Sequence, residues 1–526
     1  MNYYVDIQRI FAEKAVFLLS MNGKIPYQRI IFGLKIKQLR QEKGLSFAEL
    51  SKATGMSVSY LNEIEKGKKF PKADKITVLA NTLGADQEEL LSTEMGANLA
   101  PVKELLESNF LNELPLDLFG IELGKVAEII ANAPLRVGAF ISTLLELSRS
   151  YALREENFFF AALRAYLELN NNYFEHIEEA VKTFVKEHKI PTSRPLPPQL
   201  LSTILEDNYD YEVIKDGLDA YPEMEGLRSV FLPGEKQLLL TSKLSSMQRS
   251  FQFGKEIGFH VLQLKDRSYT SSILRPRVFE EVLNHAYATY FSVALHLPLE
   301  SFVRKLRDFF SAPKWNAKSL VSIMDSYDAS PEMFYHRLTN VIPRFFNMPK
   351  LFFLRFIHDP EKDHFEIDRE LHLSKRHHPH GNAILEHYCR RWVSLSLLQD
   401  LAEMQQEGKY VSTIVRAQRS RFLGTEDEYL CITLARPGQS ENSSRLGGEY
   451  AQGRNISVTL GLLINADVKR QIKWLDDVAI QARDVNRTCE RCALTDCSER
   501  AVAPVIVQKR ERLRAIESRL TKLNQE

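Results

Sequence analysis

The chain predicts a multidomain α+β fold: an all-α helix-turn-helix domain, a helical bridge, an α+β middle region and a C-terminal mixed α/β domain. Three observations carry that expectation. At 526 residues the chain is several times the usual domain length, about 150 residues. Residues 44–70 read as two short capped helices around a tight corner, and apolar residues between 100 and 190 recur at spacings of three and four, the mark of amphipathic helices. Beyond residue 409, short apolar runs punctuated by Pro and Gly take over, the pattern of strands and turns.

The corner is built from local chemistry. Ser46 and Glu49 have capping-box spacing, each side chain able to satisfy the other's backbone amide. Phe47, Leu50 and Ala53 line one face of the helix that follows. Thr54-Gly55-Met56 breaks it, Gly55 supplying the left-handed conformation that a tight helix-turn-helix corner requires. Ser57 caps a second helix in which Val58, Leu61 and Ile64 recur, until Gly67 ends it. Pro71 opens another helix carrying Ile76, Leu79, Ala80 and Leu83, and Gly84 closes it.

From Ile31 to Ser92 the chain resembles the Cro/repressor-type helix-turn-helix family, with Gly44, Ser46, Glu49, Leu50, Gly55, Ser57, Tyr60, Ile64, Glu65, Gly67 and Pro71 as its landmarks. In that family the second helix of the motif enters the major groove of DNA. The resemblance implies that Val58, Ser59, Asn62 and Glu63, flanked by Ser57 and Tyr60, read base edges. Ser46, Phe47, Lys66, Lys68 and Lys69 would touch phosphates, which position a module without specifying sequence.

Composition narrows the rest. Net charge is +1, so DNA affinity must come from a local patch, for which Lys35, Lys37, Arg40, Lys43, Lys52, Lys66, Lys68, Lys69, Lys72 and Lys75 are the supply. No run approaches the roughly 18 apolar residues of a membrane span, and residues 1–29 lack the apolar core of a signal peptide. A cytoplasmic protein is expected, with translation starting at Met1 or Met21. The five cysteines do not look like a secreted disulfide framework.

Further along, five segments are expected: the helix-turn-helix domain at 31–92, a helical bridge at 100–190 able to hold two subunits together, a middle domain at 200–345, a sensing domain at 346–505 and a terminal helix at 506–526. The proline-rich stretch 191–198 reads as a boundary. Strands are expected at 227–232 and 237–240 as a hairpin, at 351–357, 410–417, 428–435 and 456–463, and long helices at 246–264 and 383–401. The terminal helix carries Leu513, Ile516, Leu520 and Leu523 in a heptad-like stripe, expected to dock.

The helix at 246–264 resembles the metal-binding helix of zinc peptidases, but the positions of the motif H-E-x-x-H read Lys255-Glu256-Ile257-Gly258-Phe259. Both histidine ligands are gone, His260 lies about 100° round the helix from the second, and the third ligand's place holds Tyr287. Only the carboxylate Glu256 survives of what zinc hydrolysis needs. A degenerate peptidase-like region and no enzyme is the expectation; the catalytic rival would use His260, Glu256 and His285.

Seven of the 13 histidines lie between His358 and His387. With Lys375 and Arg376 beside them, a solvated or anion-facing loop is the expected reading rather than a metal site. Cys489-x-x-Cys492-x4-Cys497 has the spacing of thiolate ligands for zinc or an iron–sulfur cluster, either of which normally takes four. Cys431, inside a strand, reads as a buried structural thiol. Cys389, next to Arg390, Arg391 and Trp392, reads as the fourth ligand because positive charge favours thiolate.

Taken in order, the helix-turn-helix, the ligand-stripped peptidase-like segment, Ser374-Lys375-Arg376 and the terminal cysteine motif are similar to the short-chain fatty acyl transcriptional regulator family. That resemblance implies a dimeric one-component regulator binding an operator, an acyl-CoA effector, an iron–sulfur centre in part of the family, and genes of short-chain fatty acid metabolism. The four-cysteine site is Cys389, Cys489, Cys492 and Cys497, and Lys375, Arg376, Arg390 and Arg391 are the expected grip on the effector's phosphates. This chain departs from the family where Gly461 is followed by Leu462 and where His387 to Trp392 lacks the usual glycines and proline. A redox- or metal-responsive regulator sensing through the cysteines is the alternative.

Overall fold

The computed structural model describes residues 27–92, 155–191, 194–373, 386–409, 412–438 and 454–523. The expectations for residues 1–20, for most of the helical bridge, and for Lys375, Arg376 and the histidines at 377, 378 and 380 lie outside them. The chain divides into two compact units, residues 1–162 and 163–526.

Between residues 27 and 92 of the first unit the described helices are α1 (Tyr27–Glu42), α2 (Phe47–Thr54), α3 (Val58–Glu65), α4 (Ala73–Leu83) and α5 (Gln87–Leu91). Phe32, Ile36, Leu50, Leu61, Ile64, Ile76 and Leu79 make the core. Val58 and Ala53, expected on that apolar face, are exposed instead; they sit at a helix start and end, where the chain leaves the packed surface. Gly33 lets α1 approach the backbone of α3, since a Cβ there would lie 2.4 Å from the Ile64 carbonyl oxygen. Helix α6 (Glu155–Leu169) spans the boundary between the units.

The second unit begins with α7 (Glu175–Glu187), α8 (Pro198–Tyr209), a small sheet of β1 (Glu212–Ile214), β2 (Ser229–Leu232) and β3 (Gln237–Leu240), then α9 (Ser246–Val261) and α10 (Phe279–His296). Strands β2 and β3 form the expected antiparallel hairpin. Phe174, Ile177 and Phe184 share one core with Leu201, Phe253, Ile257 and Phe291. The proline stretch at 191–198 therefore does not separate two cores. Leu196, inside that stretch, is itself a buried member of the single core.

Helices α11 (Leu299–Ser311), α12 (Ala317–Asp325) and α13 (Pro331–Phe345) lead into a six-stranded sheet of β4 (Leu351–Asp359), β5 (His364–His372), β6 (Ile414–Phe422), β7 (Glu428–Pro437), β8 (Asn455–Leu463) and β9 (Gln481–Val485), ordered β5-β4-β8-β7-β6-β9. Neighbours pair antiparallel except β6 with β9. One face packs on α11–α13 through Leu351, Phe353, Ile432, Val458 and Leu460. The other packs on α14 (Val393–Gln406) through Phe352, Leu354, Phe356, Tyr429 and Leu397. A division at residue 346 would cut the first of these cores in two.

Three elements differ from expectation. Strand β5 is hidden in the sequence because its register shifts opposite Arg355/Phe356. Phe365 and Ile367 pack on the α14 face while Leu371 packs on the opposite one, so the usual alternation is broken. Strand β9 is too polar to announce itself and pairs only at an edge. Helix α14 starts at Val393 rather than at 383, with Trp392 at its N-cap position. The last elements are α15 (Ala466–Gln471) and α16 (Val505–Leu523). No residue of α16 is buried, so its apolar stripe docks on nothing among the described residues. None of the described helices is long and apolar enough to cross a membrane.

Candidate functional site

The corner between α2 and α3 is made as its sequence dictates. Ser46 Oγ accepts from the Glu49 amide at 3.2 Å, and Glu49 Oε2 accepts from the Ser46 amide at 2.8 Å. Gly55 sits at φ 68°, in the left-handed region that a side chain disfavours. Ser57 Oγ then accepts from the Tyr60 amide at 3.2 Å, starting α3.

That geometry presents Ser57, Val58 and Ser59 to solvent, Val58 with 46% of its surface exposed. Asn62 and Glu63 lie half-buried one turn on, and Lys66, Lys68 and Lys69 are exposed in the loop after the helix. A groove between α3 and α4 is lined by Ser57, Ser59, Tyr60, Glu63, Lys69 and Lys75. Within it Glu63 and Lys69 are paired at 2.7 Å, and the Tyr60 ring lies 4.4 Å from the Lys75 ammonium.

Several expected contacts are engaged inside the domain. Arg40 is not part of the open cationic surface: it donates to both Glu65 carboxylate oxygens at 2.6 and 2.9 Å and covers the Phe47 ring at 4.2 Å. The Phe47 ring is therefore covered by Arg40. Lys35 donates to the carbonyls of Glu89 and Ser92 at 2.6 and 2.8 Å.

In the second unit two chain segments zip together around the cysteines. Tyr388 bridges Thr488 antiparallel, the Cys389 amide donates to Arg487 O at 3.2 Å, and the Cys489 amide donates to His387 O at 2.8 Å. Glu490 accepts from the His387 amide at 3.0 Å. Arg500 donates to the carbonyls of Cys489 and Cys492 at 2.9 and 3.2 Å, which draws the loop closed. Cys389 is thus placed beside the loop of Cys489 and Cys492. All five thiols are free of disulfides, and Cys497 is the least buried.

Burial pushes the Cys389 thiol up to about 11, against backbone hydrogen bonds from residues 391 and 486 and with Cys489 and Cys492 adding to the rise. The expectation that Arg390 favours its thiolate is therefore corrected. Arg390 turns away, donating to both carboxylate oxygens of Asp363 at 3.1 and 3.0 Å and lying 4.1 Å over the Phe365 ring. For the same reason Arg390 is not an open grip for phosphates. Arg391 is half-buried, its carbonyl accepting from Gln418 at 3.1 Å. Thiol chemistry and the paired segments suit a thiophilic ion or cluster. The side chains nevertheless do not close on one point: among the described residues no group of three or more His, Cys, Asp or Glu is disposed to hold a metal ion.

Sequence reasoning missed a small cavity of about 30 Å³ on the α14 face of the sheet, lined by Phe352, Leu354, Trp392, Phe422 and Cys431 with the polar Ser394 and Thr459. With His372, Ser420 and Arg487 also on its wall, its lining comes from β4, β5, α14, β6, β7, β8 and the loop after β9, so no local pattern marks it. Gly461 matters beneath it, because a Cβ there would lie 2.2 Å from the Phe352 ring.

Residues 31–92 match the helix-turn-helix domain family. A Bacillus subtilis protein described as the uncharacterized HTH-type transcriptional regulator YazB is 39% identical over 64 residues, 12% of this chain and 93% of that one. The chain belongs to the helix-turn-helix transcriptional regulators. Over far more of its length the regulator is similar to the propionyl-CoA carboxylase regulator of Cereibacter sphaeroides, 21% identical across 91% of this chain and 95% of the relative. The HTH-type transcriptional regulator PrpR of Mycobacterium tuberculosis is 22% identical across 53% of this chain and 58% of its own. The regulator is thus a DNA-binding protein, with a helical reading domain followed by an α+β unit.

The peptidase-like positions of the regulator are occupied by internal partners. Glu256 accepts from Arg267 at 2.8 and 2.7 Å and from the Tyr211 hydroxyl at 3.0 Å. His260 contacts the same Tyr211 hydroxyl at 3.0 Å, while His285 contacts Lys255 Nζ at 3.1 Å. Tyr287 shares a hydrogen bond with the Tyr166 hydroxyl at 2.7 Å. A carboxylate stabilised by a buried guanidinium and a tyrosine hydroxyl is a weakened proton acceptor, so these groups do not assemble a general base.

Proposed function

We propose that the regulator binds its operator as a homodimer through α3 and that its second unit senses a short-chain acyl-CoA, controlling genes of short-chain fatty acid and carboxylate metabolism. The observation that carries this reading is the similarity, over nearly the full length of both chains, to a protein named propionyl-CoA carboxylase regulator. Val58, Ser59 and Asn62 would meet base edges, and Ser46, Lys66 and Lys68 phosphates.

Two features support the reading. The small apolar cavity at Phe352 and Trp392 has room for about two waters or the end of a short acyl chain, so chain length would be sensed sterically. On α16, Leu513, Ile516, Leu520 and Leu523 are each about half exposed. A parallel pairing of two copies would bury that stripe and set Arg512 of one against Glu517 of the other.

The test is the affinity of full-length protein for operator DNA at fixed salt, because phosphate contacts make affinity steeply salt-dependent, with and without propionyl-CoA or a long-chain acyl-CoA. An effector must favour one DNA-binding state over the other, a coupling of about fivefold or more. Unchanged affinity would reject acyl-CoA sensing and leave DNA binding intact. A second reading, a redox- or metal-responsive regulator, draws on the paired segments around Cys389 and Cys489. Protein purified without oxygen should then carry iron and sulfide, or zinc, lost in Cys492→Ser. Metal-free wild type would return those thiols to ordinary packing.

A further inference from the structure

On the face of the sheet opposite the apolar cavity, Arg355 of β4 stands directly across from Arg369 of β5. Like charges in register on adjacent strands repel, and this pair lies beside further cations. Arg355 and Arg436 are answered: Glu332 accepts from Arg436 at 2.9 Å and lies 3.4 Å from Arg355, which also pairs with Asp368. Burial alone would raise Glu332, but Arg436 and Arg355 hold it down to about 2.

Three cations in the same space have no such partner. Ser271 ties the two segments together: its hydroxyl accepts from the Arg228 backbone amide at 2.9 Å and its carbonyl accepts from Lys255 Nζ at 3.1 Å. The carboxylate next to Lys255 in sequence, Glu256, is already taken by Arg267. Arg369 acts electrostatically on both Arg228 and Lys255. Among the described residues no carboxylate lies within ion-pair distance of Arg228, Lys255 or Arg369.

Two histidines that also feel Arg369, His285 and His336, each keep a buried Nδ1 with no hydrogen-bond partner. Buried polar atoms of that kind normally find one. Lys255 is almost fully buried, Arg228 half-buried and Arg369 exposed, so the cluster reaches solvent on the Arg369 side. Glu332 acts on Arg228 and Glu256 on Lys255, neither as an ion pair; cations that are buried without a paired carboxylate are costly, and a low-dielectric region dominated by one sign of charge concentrates counter-ions.

We infer that Arg228, Lys255 and Arg369 form a binding site for a multivalent oxyanion, a phosphate group in particular, separate from the apolar cavity on the other face of the sheet. Guanidinium groups match phosphate oxygens bidentately, and Lys255 adds a point charge from the floor. The phosphate is either inorganic or carried by a larger metabolite. The inference does not depend on acyl-CoA being the effector.

Calorimetry on the full-length protein in phosphate-free buffer tests it, with inorganic phosphate as the probe and chloride at equal ionic strength as the control. Saturable phosphate binding is expected, weakened at least tenfold in Arg369→Ala and partly restored in Arg369→Lys. Because Arg369 is exposed, its removal should leave the fold intact; Lys255→Met gives an independent loss. Coenzyme A competing with phosphate would assign the phosphate to a larger ligand, and phosphate binding without competition would assign it to the free ion. No saturable heat with phosphate and coenzyme A alike, or wild-type affinity in both Arg369→Ala and Lys255→Met, would overturn the site.

Discussion

Arg40 on α1 and Glu65 at the end of α3 hold each other through two hydrogen bonds of 2.6 and 2.9 Å, both side chains largely withdrawn from solvent. The pair ties the reading helix to the scaffold at the turn just before the lysine loop. Arg40 also donates to the Leu45 carbonyl at 2.9 Å, so one side chain joins α1, the loop before α2 and α3.

Replacing Glu65 with Ala leaves a guanidinium in the domain without its carboxylate. The expected loss is about 3–5 kcal/mol, the cost typical of breaking a buried pair from one side. Thermal unfolding of the first unit, followed within the full chain, measures it. A melting temperature equal to wild type would show that the pair contributes nothing.

Asn62 and Lys66 should fail in different ways. If Asn62 meets a base edge, Asn62→Ala costs about 1–3 kcal/mol on the operator and little on unrelated DNA. Lys66→Ala should weaken both alike and reduce the slope of log affinity against log salt by about 1. Identical salt slopes for wild type and Lys66→Ala would remove Lys66 from the phosphate contacts.

Gly461→Ala places a methyl group 2.2 Å from the Phe352 ring, so the ring must shift into the cavity it lines. A destabilisation of about 1–3 kcal/mol is expected from this overpacking, together with a weaker response to propionyl-CoA. DNA affinity without effector should stay at the wild-type value. A normal response would show that the effector does not enter past Phe352.

Lys255 makes stability depend on pH. Burial, first, and then Arg267, Arg369 and Arg228 lower it to about 7 despite Glu256, and its facing partner His285 is held neutral mainly by burial. An unfolded lysine titrates near 10.4, about three units higher. Between those values the unfolded chain binds a proton that the folded chain does not, so stability rises with pH from about 7 to 10. Below 7 the full penalty is in place. Lys255→Met should lack that rise and gain most over wild type at pH 7 and below, by an upper bound of about 5 kcal/mol. Parallel stability curves for the two proteins in phosphate-free buffer would reject it.

Elements whose signals are local were legible in the chain alone. The capping serines, Gly55 and the 3.6-residue pattern of α2 to α4 specify the helix-turn-helix because each depends on neighbours within four residues. Strands β4, β7 and β8, buried on both faces, showed as continuous apolar runs. The choice of Cys389 came from its cationic neighbours and from the family pattern; the first reason fails because Arg390 turns to Asp363, and hydrogen bonds across some hundred residues are what place Cys389 beside the loop of Cys489 and Cys492.

What sequence could not decide was the partner of each charge. Arg40, Arg390 and Glu256 look like surface, ligand-binding and catalytic groups when read by type and neighbourhood, yet each is neutralised by a residue remote in sequence or hidden from its pattern: Glu65, Asp363 and Arg267. The same holds for the register shift that splits β5 between two cores, and for the mutual influence of Arg228, Lys255 and Arg369. Local propensity acts over a few residues, whereas electrostatic compensation and burial act over whatever distance folding closes. The identity of the reading domain therefore lay in the sequence, and which of its charges remain available for function was decided by tertiary structure.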